Sequence, residues 1–116
     1  MKIGIRDSVA DAKRRKRAKR RARQDPEYLA WVHQWPCAVG RECWGRIEFH
    51  HDPPKSHAGE WSDRDGLMLC QRHHDRAISG SRHALGLELF EQEWKINIRS
   101  KSAELNAAYE EERSTK

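Results

Sequence analysis

The chain is poor in most of what a self-sufficient fold requires. Hydrophobic residues fill 36% of its 116 positions, barely more than the 35% that are charged. A chain of this length has room for one domain with a small core, and small cores usually need a staple such as a metal or a disulfide. There are only three cysteines. They cannot all pair within the chain, which argues against a disulfide scaffold and for a metal staple in a reducing compartment. No apolar run approaches the ~20 residues that cross a bilayer, so a transmembrane protein is excluded and no membrane partner is expected. The N-terminus has no apolar stretch of the kind a secretory signal carries, and a cytoplasmic location is the expectation.

Positive charge is present but confined. Lys13 to Arg23 (KRRKRAKRRAR) holds nine basic residues in eleven positions. Without them, 14 basic residues face 18 acidic ones, and the rest of the chain is mildly acidic. A run this dense repels itself unless a polyanion neutralises it, and on a polyphosphate it gives salt-sensitive, sequence-blind binding. Lys13, Arg14, Arg15, Lys16, Arg17, Lys19, Arg20, Arg21 and Arg23 are therefore candidate nucleic-acid contacts. The competing readings are a solvated helix or tail, or a localisation signal.

The expected organisation is a basic arm over 1–24, a central domain over 25–98 and a C-terminal helix over 99–116. Residues 1–12 are mixed and expected to fray, and 13–24 have helix-forming composition without an apolar face. Asp25-Pro26-Glu27 is a helix start, with Asp at the N-cap and Pro at the first helical position. This helix is expected to run through Leu29, Trp31, Val32 and Trp35 and to stop before Pro36. Residues 37–50 read as two short extended pieces, the second carried by the alternation Arg46-Ile47-Glu48-Phe49. Residues 52–64 are a turn-rich loop, and Leu67-Met68-Leu69 is a short apolar strand or helix entry. Asp75 to Ile78 is expected to continue a helix as far as Ser79-Gly80-Ser81. Leu85, Leu89, Phe90 and Trp94 recur at helical spacing, and Ser102 to Arg113 forms a further helix capped by Ser102. Trp31, Trp35 and Trp94 are expected in the core. Trp44 and Trp61 lie in loops and are the better candidates for stacking on bases.

All three cysteines and six of the seven histidines lie between Cys37 and His83. Cys37-x5-Cys43, then Cys70-x2-His73, supplies four soft or borderline ligands, the number a tetrahedral structural Zn²⁺ takes. The competing reading is three buried cysteines acting as small hydrophobes, which fits Cys70 in Leu-Met-Leu-Cys. It fits Cys37 and Cys43 less well, because they flank glycine and charged residues. His50, His51, His74 and His83 remain, while His33 and His57 read as surface or satisfied histidines. Neighbours in a strand point to opposite faces, so one of His50 and His51 can bind a metal while the other faces a substrate as a base. His73 and His74 point apart on a helical turn, so one can complete the zinc site while the other serves a second site.

Taken in order, these motifs resemble the HNH endonuclease superfamily, whose core is a ββα-metal finger. The matching stretch is Phe49-His50-His51-Asp52, a loop, then Asp65-Gly66-Leu67-Met68-Leu69-Cys70-Gln71-Arg72-His73-His74. The chain is most similar to small phage-borne, recombination-associated members, which carry a segment like Trp31-Val32-His33-Gln34-Trp35-Pro36-Cys37 before the finger and one like His83-Ala84-Leu85-Gly86-Leu87-Glu88-Leu89-Phe90 after it. The resemblance covers roughly Tyr28 to Ile96. It implies an α+β fold built on a small ββα-metal finger with flanking helices; the basic N-terminal arm and the C-terminal helix lie outside the resemblance. It implies His50 and His74 as ligands of a catalytic metal, His51 as the general base, and Cys37, Cys43, Cys70 and His73 as a separate structural zinc site. Two positions depart from the pattern. Asp65-Gly66 stands where many members place Asn, and the third ligand, usually four residues after the second, falls on Ile78. His83 is the substitute if Ser79-Gly80-Ser81-Arg82 forms an inserted loop.

The function expected on this resemblance is hydrolysis of DNA phosphodiesters with low sequence specificity. His51 would take a proton from water, and one divalent ion would sit on His50, His74 and His83. Three imidazoles suit Zn²⁺, Ni²⁺ or Mn²⁺ better than Mg²⁺, and the identity among the four stays open. Arg72, Arg76, Arg82 and Lys55 are candidates to hold phosphates, with surface solubility as the equal alternative. Phage or host recombination or packaging proteins are possible partners, in the host cytoplasm if the chain is phage-encoded. The competing functions are a non-catalytic zinc-stabilised DNA-binding module and a small basic RNA-binding or ribosome-associated zinc protein.

Overall fold

The computed structural model describes residues 9–52 and 61–115, with the backbone alone for 18–22. Lys55 and His57 lie outside the described residues, as do the side chains of Lys19, Arg20 and Arg21. The fold is α+β: among the described residues there are six helices and one two-stranded antiparallel sheet, in the order α1 (Val9–Arg23), α2 (Pro26–Val32), β1 (Ile47–His51), β2 (Gly66–Cys70), α3 (Gln71–His74), α4 (Arg82–Leu85), α5 (Leu87–Trp94) and α6 (Ile98–Ser114).

Strand β2 is buried along its whole length, which explains its unbroken apolar sequence. Its register sets Ile47 against Cys70, Phe49 against Met68, His50 against Leu67 and His51 against Gly66. Leu67 and Leu69 pack on one side with Phe90, Trp94, Ile98, Cys37 and Cys70. Met68 packs on the other with Tyr28, Val32 and Tyr109. Two of the three cysteines are thus core members, and among the described residues the buried core is no larger than these two clusters. Burying a side chain of this size contributes about 1.5–3 kcal/mol, so so few residues leave little margin over chain entropy.

The capping chemistry at Asp25 is as the sequence suggests: its carboxylate accepts the Tyr28 N–H at 3.1 Å, with Pro26 at the first position. Several other expectations need correction. Helix α2 ends at Val32, where bonds from Gln34 N to Trp31 O and from Trp35 N to Val32 O tighten the chain into turns. Trp35 is therefore 43% exposed and not in the core. Only one strand, β1, forms within 37–50, and its partner is β2. The arm helix starts at Val9, inside the segment expected to fray. Helix α3 stops at His74, because Asp75 is extended, so Asp75 to Ile78 is not helical. Gly86, at φ +85°, splits the Leu85–Trp94 periodicity into two helices and leaves Leu89 exposed.

Helix α6 begins at Ile98 with Asn97 as its cap. Ser102, expected to cap it, is instead buried. Its hydroxyl accepts the Gly66 N–H and donates to the Arg64 carbonyl, each at 3.0 Å. Arg64 closes the same wall: it donates to Asp25 and Glu110 at 2.8 Å each, with its guanidinium 4.8 Å from the Tyr28 ring and 4.9 Å from the Tyr109 ring. These contacts hold α2, α6 and the segment entering β2 as one body. No helix among the described residues is long and apolar enough to cross a membrane.

Two candidate metal centres

The first cluster gathers Cys37, Cys43, Cys70 and His73, one ligand atom from each lying within 4.8 Å of the others. Cys70 ends β2 and caps α3, so His73 falls one turn further on. Cys37 is tied to the sheet by the bond from Ala38 N to Met68 O at 2.8 Å. The five residues between Cys37 and Cys43 include left-handed turns at Gly40 and Glu42, and this loop makes the wide spacing workable. His73 Nδ1 lies 3.1 Å from Cys70 Sγ, 3.5 Å from Cys37 Sγ and 3.9 Å from Cys43 Sγ. A tetrahedron with Zn–S ≈ 2.3 Å and Zn–N ≈ 2.0 Å has mixed edges of about 3.5 Å. The donor set and the spacing therefore fit a tetrahedral zinc ion.

The electrostatics point the same way. Burial, with the neighbouring Cys37 and Cys70 sulfurs, pushes the Cys43 thiol up to about 12, since three thiols cannot all ionise together without a cation. Cys70 goes the other way. Burial alone would raise it, but N–H bonds from His73 and Trp44 and contacts with the other two cysteines hold its thiol below the ordinary range. Burial, helped by the Arg72 charge, keeps His73 below its ordinary value, in the neutral form that a metal requires. All three cysteines are free thiols.

The second cluster joins His50 of β1, His74 of α3 and His83 of α4, again within 4.8 Å. Because α3 stops at His74, the helical i+4 position at Ile78 never forms. The chain instead turns through Ser79-Gly80-Ser81 and re-enters a helix capped by Ser81, whose hydroxyl accepts the Ala84 N–H. Arg72 donates to Ser79 O at 2.8 Å and Trp94 Nε1 to Gly80 O at 2.7 Å, fixing that turn. His83 is thereby returned to the sheet, its Nε2 3.2 Å from His74 Nε2. Two neutral imidazole nitrogens at that separation lie close to one edge of a tetrahedral or octahedral metal site, ~3.0–3.4 Å for Zn–N ≈ 2.0–2.1 Å. Burial, with the charges of His50, His74, Arg82 and Arg76, lowers His83 to about 4, and burial also lowers His50.

Carboxylates surround this cluster. Glu48 accepts from His74 Nδ1 at 3.1 Å and Asp52 from His50 Nε2 at 3.0 Å. Such partners fix the tautomer and ring orientation of metal-ligating histidines. Asp52 also receives Arg82 at 2.8 and 3.2 Å. Burial alone would raise its carboxyl, but the bonds from His50 and Arg82 outweigh that and hold it at about 2. The sequence reading missed both residues, although the two-residue period of β1 puts Glu48, His50 and Asp52 on one side.

His51 follows the same alternation to the opposite face and is not part of the histidine cluster. Its Nε2 lies 2.9 Å from Asp63 Oδ1, and its ring meets Phe49 and Trp61 edge-on. Asp63 was also missed, and here no local signal existed, since it lies 12 positions away. Arg76 is exposed and contributes to the field at His83. Arg72 and Arg82 are engaged with Ser79 and Asp52 respectively. Lys13 to Arg17 are exposed on α1, where Arg14 pairs with Asp11. Trp44 is 52% exposed on the loop beside Cys43, whereas Trp61 is partly covered. Comparison with protein-family models, with curated proteins and with solved structures finds no match for this chain.

Proposed function

We propose that this chain is a metal-dependent endonuclease of the HNH type that hydrolyses DNA phosphodiesters with little sequence preference. The observation that carries the reading is the convergence of His50, His74 and His83 from a strand, the helix after the sheet and a re-entrant helix, with His51 next to the first of them. The order β1, β2, α3 agrees with the strand–strand–helix order the sequence resemblance implies. In this reading His50, His74 and His83 hold the catalytic ion, and Cys37, Cys43, Cys70 and His73 hold a structural zinc. A divalent ion bound there supplies positive charge against the phosphate and the departing oxygen.

The chain's own residues do the rest. His51 takes a proton from the attacking water, a task suited to a neutral imidazole. The water oxygen then bonds to phosphorus as the bond to the 3′ oxygen breaks, the departing 3′ oxygen takes a proton from solvent, and His51 returns its proton to solvent. Arg76 and the exposed basic face of α1 hold backbone phosphates, which positions DNA without reading its sequence.

The test is cleavage of supercoiled plasmid across Mg²⁺, Mn²⁺, Ni²⁺ and Zn²⁺, beside His51→Ala. Metal-dependent nicking that disappears in the variant, with DNA binding intact, is the expected result. A second reading, a zinc-stabilised DNA-binding module without catalysis, is favoured by one observation: His51 turns to Asp63, away from the face that carries His50. Tight plasmid binding without cutting under any metal would establish that reading instead.

A further inference from the structure

Asp63 is 3% exposed and fastened at three atoms. Its N–H donates to the Arg23 carbonyl at 2.8 Å, at the end of the basic helix. Its Oδ2 accepts the Asp25 N–H at 2.7 Å. With these two bonds made, the carboxylate plane is fixed, and Oδ1 faces His51 Nε2 at 2.9 Å. A carboxylate can only accept, so the ring nitrogen facing it carries the hydrogen. The lone pair of the neutral ring is then on Nδ1.

We infer that Asp63 is a positioning residue for His51: it locks the Nε2–H tautomer and leaves Nδ1 as the atom that accepts the proton. The inference rests on the nuclease reading for its purpose, but its core claim concerns one hydrogen on one ring. The surroundings strengthen it. Phe49 and Trp61 meet the His51 ring edge-on from two sides, at centroid distances of 4.8 and 5.8 Å. The ring therefore has packed neighbours to hold its plane and a single acid to set its hydrogen. This tethering also joins the junction after the basic helix to the base, because Arg23 and Asp25 flank that junction.

Asp63→Asn tests the claim without removing atoms. An amide can accept at only one end. The Asp25 N–H requires an acceptor, so the amide oxygen stays there and the NH₂ turns to His51. It then donates to Nε2 and forces the Nδ1–H tautomer. Nitrogen–proton correlation spectra of the full zinc-loaded chain, labelled at histidine, distinguish the two tautomers directly. The wild type is expected to give Nε2–H at His51 and the variant Nδ1–H. Exchanging the carboxylate behind a catalytic imidazole for an amide costs on the order of 10⁴-fold in kcat in a well-studied hydrolase. Here kcat is expected to fall by about 10³–10⁴-fold, with KM changed less than roughly twofold, because substrate contacts are untouched. A merely structural Asp63 would leave the tautomer alone.

An Nδ1–H signal from wild-type His51 overturns the inference even if the variant fails to fold. An unchanged tautomer in Asp63→Asn overturns it as well. The spectra are read without reference to cleavage, so failure of this inference and failure of the nuclease reading are separate results.

Discussion

Cys43→Ser isolates the contribution that the proposed zinc clasp makes to folding, because Cys43 is the one exposed member of the cluster and its side chain fills no space in the core. Cys70→Ser would leave a hydroxyl among Leu67, Phe90 and Trp94 and mix two effects. The magnitude follows from chain connectivity. Cys43 and His73 are 30 positions apart, and an ion bridging them closes that span. The loop-closure relation for a covalent cross-link of this length gives about 3.5 kcal/mol. A domain of this size has roughly 5–15 kcal/mol in all, so the loss is a large part of its stability. For a chain between the small and medium size classes, ~3.5 kcal/mol lowers the midpoint by roughly 10–20 °C. The assay is thermal unfolding followed by circular dichroism, in zinc and in excess chelator, with bound zinc measured on the same samples. Wild type in chelator and Cys43→Ser in zinc are both expected to melt early. A wild type that melts identically with and without chelator, or a variant that binds as much zinc as the wild type and keeps its midpoint, would refute the clasp.

Two further outcomes follow from the sheet and its carboxylates. Gly66 has φ +148°, and a Cβ there would lie 2.1 Å from the His50 carbonyl oxygen and 2.8 Å from Phe49 Cζ. Gly66→Ala is therefore expected to cost about 2–6 kcal/mol from backbone strain and overpacking, read by denaturant melting, and a loss under 1 kcal/mol would show that β1 yields freely. Asp52, held at about 2 against an ordinary 3.8, is a depressed carboxylate, so its contribution is complete above the ordinary value and fades as pH falls through the native one. Wild type should exceed Asp52→Asn by about 2 kcal/mol near neutral pH, with the gap closing between about pH 4 and 2; a gap that widens in acid would mean the bonds to His50 and Arg82 are not what lowers it.

The candidate ligand types were legible because Cys and His stand out in the sequence, and the strand and helix periods show that His50 and His51, and His73 and His74, part company; which member of each pair joins which cluster came from the resemblance alone. Leu67-Met68-Leu69 was legible as a short apolar element but not as a strand apolar on both faces, because so short a run fits a strand and a helix entry equally. The Asp25 start of α2 was legible too, but other helix ends were not, for reasons outside the local sequence. Asp75 leaves α3 because Arg72 and Trp94, 22 residues apart in the chain, both bind carbonyls of the following turn. Ser102 has the composition of a cap, but the N–H of Gly66 and the carbonyl of Arg64 claim its hydroxyl. Asp63 escaped notice because its role comes from tertiary contacts with Asp25, Arg23 and His51 together. Motif spacing records what one element presents; it does not record which distant carboxylate ends up facing it.

The paired histidines carry the remaining argument. His73 and His74 are consecutive on α3, and successive helical residues differ by about 100° in direction. One therefore serves the cysteine cluster and the other the histidine cluster, with no residue between them to absorb a rotation. His50 and His51 are consecutive on β1 and differ by about 180°, so one joins the histidine cluster and the other meets Asp63. An ion on the cysteine cluster would thus help to orient a four-residue helix too short to hold itself. That helix aims His74 at the site which β1 supplies with His50. Loss of the ion from the cysteine cluster should therefore disorder the second centre before the sheet separates. In a chelator titration of the full chain, the histidine cluster would then lose its metal affinity at zinc concentrations where the Trp94 and Tyr28 cores still report a folded sheet.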